Sequence, residues 1–448
     1  MTEADPLLSV RNLEKHYPIT EGLLRREIGT VRAVDGVSFD VQPGEAFGLV
    51  GESGCGKSTT ALSVLRLEEP TGGDVRFDGD DVRAYDGDEL RRFRRRAQLV
   101  IQDPDSALNP RQTVGESVEE PLSIHGLHGS QRRRHVVEDT LERVGLSAAA
   151  ADQYPHEFSG GEKQRIAIAR ALVLNPDLLV ADEPVSALDG RTKADVLELL
   201  GRLQREFDVA IVFISHDVEL VRRFCDRAAV MYLGEIVEHG AVDDVFEDPL
   251  HPYTQLLVSS IPSLDPNAPR AGVEPLTDDL PDASDPPTGC RFHPRCPAII
   301  PPAGVTIPRD QWQGLVQFRF RLENEWTTAD DVRAAVAVAG AGRGPDGTDH
   351  AATGSIATTD DAVRSTFDLP AELADPDLEA ALTAAVESID DGDLEAARDY
   401  LAASTETVCE RESPTLETRP DGRPVACHRY DPSVPGEPET DLETTTTR

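Results

Sequence analysis

Lysine is nearly missing from this chain: Lys15, Lys57, Lys163 and Lys193 stand alone among 448 residues, against 82 acidic side chains and a formal net charge of -38. A field of that sign repels phosphate backbones and anionic headgroups, so the expectation is no nucleic-acid partner. Long apolar runs are also lacking. No stretch reaches the roughly 18 to 20 apolar residues that span a bilayer, and the start, MTEADPLLSV, has no basic-then-apolar leader. A soluble chain able to sit on a membrane partner is expected. The cysteines, Cys55, Cys225, Cys290, Cys296, Cys409 and Cys427, give no support for a secreted disulfide scaffold. Two arginine groups cut against the overall sign, Arg91, Arg92, Arg94, Arg95 and Arg96, then Arg132, Arg133 and Arg134. With only Phe93 as an interleaved aromatic, they read as solvated helix faces paired with nearby acids.

What is present is more specific. Gly51-Glu52-Ser53-Gly54-Cys55-Gly56-Lys57-Ser58-Thr59 fits GxxxxGK[ST], with the apolar strand Ala46 to Val50 before it and a helical run from Ser58 to Leu67 after it. Glycines let backbone N–H groups turn to phosphates, and the helix N-terminus adds positive potential. Lys57 reaches the β- and γ-phosphates, and the Ser58 hydroxyl can ligate Mg²⁺. Cys55 reads as a small residue at a variable loop position whose thiol could be alkylated.

Along the chain, residues 7 to 45 predict short strands, interrupted by a polar excursion between Tyr17 and Val31. A strand is predicted at Gln98 to Ile101, and from Asp103 to His156 the pattern is helical and polar, broken by Pro104, Pro110 and Pro121. Apolar strands return at Leu178 to Ala181 and Ala210 to Ile214, with a helix from Ala194 to Phe207 between them. Such alternation means a parallel α/β core with the helical block inserted. Past Pro262 the chain turns rich in Pro, Asp and Ala, reading as a linker over 263–289. A glycine-rich stretch near 337–355, an acidic helix pair at Leu373 to Ser388 and Asp393 to Ala403, and a disordered tail follow.

Leu178-Leu179-Val180-Ala181-Asp182-Glu183-Pro184 ends a buried strand in two carboxylates, Asp182 placed to hold magnesium and Glu183 to polarise water. Phe158-Ser159-Gly160-Gly161-Glu162-Lys163-Gln164-Arg165 lies between loop and acids. With Gln102 and the turn Ser186-Ala187-Leu188-Asp189, these residues resemble the nucleotide-binding subunits of ABC transporters over residues 7–262. The resemblance implies an α/β P-loop NTPase cassette with a RecA-like parallel sheet, an antiparallel β subdomain and an inserted helical subdomain at about 103–170. It implies an ATPase using ATP and Mg²⁺, each nucleotide lying between the loop Gly51 to Thr59 of one subunit and Ser159, Gly160 and Gly161 of another, with Asp189 beside it. Position by position, Tyr17 would stack on adenine, Gln102 would sense the γ-phosphate and its metal-bound water, and His216 would hold the γ-phosphate and attacking water. Lys57, Gln102, Glu183 and His216 would thus carry the chemistry, with Ser58, Gln102 and Asp182 around the magnesium. The family has Gln where this chain has Glu162, which leaves the contact of Glu162 with nucleotide open.

Met231 to Glu238, Asp248-Pro249-Leu250-His251-Pro252-Tyr253-Thr254, Gln102-Asp103-Pro104, Leu108-Asn109-Pro110 and the excursion between Tyr17 and Val31 are similar to the oligopeptide/dipeptide group of ABC importers. The resemblance implies a peripheral subunit on the cytoplasmic face of the membrane, pairing with a second ATPase as a heterodimer and with two permeases fed by an extracellular solute-binding protein. Peptide uptake is the first reading. Nickel or another small solute is the nearest alternative, and a non-transport ABC ATPase a more distant one. Gly289 to Pro297 resembles the C-terminal extension of the same group, and its second half returns at Cys409 to Pro414 and Val425 to His428. In some members four such cysteines hold a [4Fe–4S] cluster, which needs four thiolates; unligated thiols and zinc are the other readings for Cys290, Cys296, Cys409 and Cys427. The implied organisation is a cassette at 7–262, linker and first half of the extension at 263–298, an acidic insertion at 299–408, the second half at 409–432 and a tail at 433–448. The lysine-poor acidic composition resembles proteins of salt-loaded, haloarchaeal cytoplasm, an ordinary acidic protein being the alternative.

Overall fold

The structure, a computed structural model, describes residues 5–22, 26–261, 275–277, 281–340 and 358–434. Much of the expected linker, nearly all of the glycine-rich stretch and the tail from 435 lie outside them. The chain forms two compact units, the first holding residues 1–262 with 283–285 and 416–426, the second the remaining residues from 263 onward.

The first unit carries two sheets. One is antiparallel, in order β2-β1-β4-β5, from β1 (Leu8–Glu21), β2 (Arg26–Val41), β4 (Gly72–Phe77) and β5 (Asp80–Asp81). Most of the excursion expected between Tyr17 and Val31 is instead strand, as far as Glu21 and again from Arg26: the β1/β2 ladder continues through Tyr17↔Val31, Pro18↔Thr30 and Glu21↔Arg26. Backbone pairing there needs no apolar side chains, which is why composition hid it.

The other sheet runs β11-β12-β10-β9-β3-β8-β7-β6, from β3 (Ala46–Val50), β6 (Ala97–Val100), β7 (Leu178–Asp182), β8 (Ala210–Ser215), β9 (Arg227–Tyr232), β10 (Glu235–Ala241), β11 (Glu417–Thr418) and β12 (Pro424–Val425). The pairs β9/β3, β3/β8, β8/β7 and β7/β6 are parallel. β3 and β8 are buried at every residue, as strands covered on both faces must be. Parallel strands of this kind end together, and their carboxyl ends form the crevice where ligands bind.

Helices at Pro104–Ala107, Val114–Ile124, Ser130–Arg143 and Gly160–Leu172 form the inserted block. Pro121 does not break the second of these. The Ser117 carbonyl that a prolyl nitrogen cannot reach accepts from Arg170 Nε at 3.2 Å. Several of the clustered arginines are paired with acids: Arg96 with Asp78 and Asp177, Arg133 with Glu119, Arg134 with Glu138 and Asp152.

The second unit is helical, with Arg309–Asn324, Ala329–Gly340, Thr359–Thr366, Pro376–Asp390, Leu394–Thr405 and Val408–Arg411. Its core gathers Trp312, Leu315, Phe318, Phe320, Val363, Phe367, Leu382, Ile389 and Leu401. The Trp312 indole N–H donates to the Ile299 carbonyl at 2.9 Å, satisfying its one polar atom. Gly314 allows the first long helix to approach the Phe367 carbonyl, where a Cβ would collide. Cys290 N–H donates to the Cys409 carbonyl at 2.8 Å, so the two halves of the extension meet across the insertion. Closing a long loop costs little more than closing a short one.

Candidate active site

The carboxyl ends of β3, β6, β7 and β8 supply four segments to one cavity of about 580 Å³. Its wall includes Ala33, Glu52 to Gly54, Gly56 to Thr59, Gln102, Glu183, His216 and Leu257. The loop after β3 turns into the helix Lys57–Val64 at Gly56, whose φ of 107° and contact with the Ala33 carbonyl admit no side chain. Lys57 is 5% exposed, and its ammonium donates to the carbonyls of Gly51 and Glu52, each at 2.8 Å. A cation held by main-chain oxygens at the edge of a cavity can exchange them for phosphate oxygens.

Ser58 Oγ donates to Asp182 Oδ1 at 3.1 Å, and burial pushes the Asp182 carboxyl above its ordinary value. These hard oxygens, with the Gln102 side chain nearby on the cavity wall, are the donor chemistry magnesium takes. Glu183 is placed between two side chains. One carboxylate oxygen accepts from Gln102 Nε2 at 3.0 Å, and the other lies 2.9 Å from His216 Nδ1. Its backbone φ of 46° is left-handed, a cost that a glutamate bears only where its surroundings fix it.

Other predicted residues lie elsewhere. Tyr17 is half-buried on β1, with Lys15 Nζ 4.8 Å from its ring centre, and does not line the cavity. Ser159 caps the helix Gly160–Leu172, and Gly161 lies so close to Thr192 that a Cβ would collide. Asp189 caps the helix Gly190–Phe207, accepting from the N–H groups of Arg191 and Thr192. Neither reaches the cavity within one chain. Glu162 completes a capping box: its Oε2 accepts from Ser159 N–H at 2.9 Å and Ser159 O–H at 2.7 Å, and these bonds lower its carboxyl from the ordinary value. Cys55 is 3% exposed with its thiol pushed up by burial, so it is not the accessible alkylation site its loop position suggested.

Comparison with known proteins decides the family. A model described as "ABC transporter" matches residues 34–186, and one described as "Oligopeptide/dipeptide transporter, C-terminal region" matches 237–301. The oligopeptide transport ATP-binding protein AppF of Bacillus subtilis (strain 168) is 46% identical over 309 residues, 68% of this chain and 93% of that one. This chain belongs to the ATP-binding subunits of ABC transporters. A glutathione import ATP-binding protein, GsiA of Pectobacterium atrosepticum, is 50% identical to this subunit over 278 residues, 62% of this chain and 45% of its own. A solved dimeric ATP-binding cassette in a post-hydrolysis state with ADP and phosphate is 32% identical, covering 52% of this chain and 98% of that one, with a TM-score of 0.47. Residues 309–422 match a model described only as a domain of unknown function. The subunit is therefore an ABC-family ATPase, and among the described residues no helix is long and apolar enough to cross a membrane.

In its second unit, the subunit draws its four C-terminal cysteines into one neighbourhood. Burial, with Cys409, Cys290 and Cys427 beside it, pushes the Cys296 thiol well above its ordinary value. Among the described residues, however, no three His, Cys, Asp or Glu side chains stand in a metal-holding arrangement. Sequence reasoning passed over two residues of the cavity wall, Ala33 and Leu257. Neither has a polar side chain, so no motif marked them.

Proposed function

We propose that this subunit pairs with a second ATP-binding subunit as a heterodimer and, on the cytoplasmic face of the membrane, couples ATP hydrolysis to uptake of oligopeptides or dipeptides. Two permeases and an extracellular solute-binding protein would complete the importer. The observation that carries the catalytic part is the carboxylate of Glu183 set between Gln102 and His216, on the same cavity wall as Lys57 and Ser58. Peptide as the solute is supported by the likeness to an oligopeptide transport subunit and to an oligopeptide/dipeptide C-terminal region.

On nucleotide entry, Lys57 exchanges the Gly51 and Glu52 carbonyls for phosphate oxygens, and loop amides other than that of Glu52 face the same anion. Ser58, Asp182 and Gln102 would hold magnesium, which when bound neutralises phosphate charge. Glu183 orients a water and takes its proton at the carboxylate, while His216 keeps the water and γ-phosphate aligned. The helix headed by Ser159 would serve the nucleotide held by a partner subunit. Cys290, Cys296, Cys409 and Cys427 match a [4Fe–4S] cluster in donor type and number, without a preformed ligating geometry. Iron and labile sulfide measured on anaerobically purified protein test that assignment.

Glu183→Gln tests the catalytic reading. Nucleotide binding is expected to persist while turnover falls about 10²- to 10⁴-fold, the usual contribution of a positioned base. Turnover near the parent's would remove Glu183 from that role.

A further inference from the structure

The segment Asp248 to Thr254 lies outside the loop, the acid pair and His216, yet it reaches the phosphate loop from behind. Tyr253 is fully buried, its ring packed against Tyr232 at 4.6 Å between centres. Its hydroxyl oxygen accepts the backbone N–H of Glu52 at 2.9 Å, a contact spanning 201 residues of sequence. That N–H belongs to the same peptide group whose carbonyl, on Gly51, accepts the Lys57 ammonium. In a trans peptide the N–H and C=O point to opposite sides. The tyrosine thus holds one side of a peptide plane whose other side holds the catalytic cation.

Tyr253 is itself fixed by a chain of buried polar contacts. Its N–H donates to Nδ1 of His251, which caps the helix Pro252–Ser259. The N–H groups of Leu250 and His251 donate to the two carboxylate oxygens of Glu238 on β10, both at 2.9 Å. Burial pushes the Tyr253 phenol well above its ordinary value, so the group that meets the Glu52 amide is a neutral hydroxyl accepting through an oxygen lone pair. A ring placed only to fill the core would need no hydroxyl aimed at a loop amide.

We propose that Tyr253 is a positioning residue of the ATP site, holding the Gly51–Glu52 peptide so that its carbonyl faces Lys57 and the loop is preset for phosphate. The inference rests on the reading that Gly51 to Thr59 binds the nucleotide. Because the loop is preset equally for ground state and transition state, losing the hydroxyl weakens nucleotide binding and leaves the chemical step alone.

Tyr253→Phe keeps the ring and removes the oxygen. Expected are an approximately tenfold weaker affinity for a fluorescent ATP analogue, a KM for ATP raised by a similar factor, and a kcat within about twofold, on the scale of one buried hydrogen bond. The Glu52 amide is expected to be slow in amide-resolved hydrogen exchange in the nucleotide-free parent and fast in the variant. Analogue affinity within twofold of the parent's, with unchanged exchange at Glu52, would make Tyr253 a packing residue. Rapid Glu52 exchange in the parent overturns the proposal even if the variant fails to fold. Lys57→Ala separates the two readings. Loss of analogue binding there with none in Tyr253→Phe rejects the tyrosine's role alone, whereas retained binding in Lys57→Ala rejects the loop as the nucleotide site and the proposal with it.

Discussion

Lys57 in the cassette and Arg319 in the second unit are both cations withdrawn from water, at 5% and 2% exposure, but their partners differ in kind. Lys57 donates to main-chain carbonyls at the rim of a cavity, neutral acceptors that a phosphate can replace. Arg319 is enclosed by side chains. It donates to Glu410 and to Thr405 Oγ1 at 3.0 Å, and its Nε faces Glu323 at 3.4 Å without a well-formed hydrogen bond. Arg364 repeats the pattern with Asp360, Glu379 and the Pro370 carbonyl. The comparison separates buried charge kept ready for a ligand from buried charge whose counter-charge is built in. Carboxylate partners built into neighbouring helices hold those helices together and leave no partner that a ligand would replace.

The largest effect expected from breaking this contrast is on Arg319. Arg319→Leu removes a buried cation and leaves the half-buried carboxylates of Glu410 and Glu323 without it, and should destabilise the second unit by about 3 kcal/mol or somewhat more. Both tryptophans, Trp312 and Trp326, lie in that unit, so denaturant unfolding followed by their fluorescence reads it selectively. Arg319→Met combined with Glu410→Gln should recover at least half of the loss, and ATP hydrolysis should be unchanged in both. A fall in hydrolysis matching the fall in stability would erase the distinction.

A smaller effect concerns Glu238, a buried carboxylate in the cassette that is neither exchangeable nor fully countered. Burial pushes it up to about 7, with the Leu250 and His251 amides, Thr254 and Arg423 pulling the other way. A carboxyl raised in the folded state stabilises fully below its unfolded value near 4.5 and loses that contribution as pH rises through about 7. The parent should therefore lose on the order of 3 kcal/mol between pH 4.5 and 8 relative to Glu238→Gln. Urea unfolding followed by circular dichroism measures both proteins. His239, lowered to about 4 by burial, acts in the opposite sense as pH falls below its unfolded value near 6.5, but it is common to both and cancels.

The smallest effect is at Glu162, an exposed charge at a helix N-terminus. Glu162→Gln preserves the acceptor that Ser159 uses and removes a negative charge from the helix end proposed to serve a partner's nucleotide. Steady-state hydrolysis should rise no more than a few-fold, since one exposed charge at a helix end acts on the scale of about 0.3–1 kcal/mol. A clear fall would show that the carboxylate itself takes part.

The cassette was legible from its sequence because its chemistry is carried by short contiguous motifs on strands with an unbroken apolar pattern. The loop Gly51 to Thr59, the pair Asp182-Glu183 and the strands around them could be read without knowing their neighbours. Where backbone pairing, not side-chain burial, maintained a strand, as between Tyr17 and Val31, the pattern misled. The second unit was harder. Its helices showed as acidic periodicity near 373–403, but the buried roles of Arg319 and Arg364 depend on partners far along the chain.

Sequence by itself determined that the chain binds ATP in an ABC cassette, because phosphate binding requires particular residue types at fixed local spacing. Tertiary structure alone decided that Gln102 and His216 grip the same carboxylate, that Cys55 is sealed beneath its loop, and that Tyr253 supports the loop from 201 residues away. Such contacts arise from the order of strands in the sheet and the packing behind it, and no local spacing encodes them.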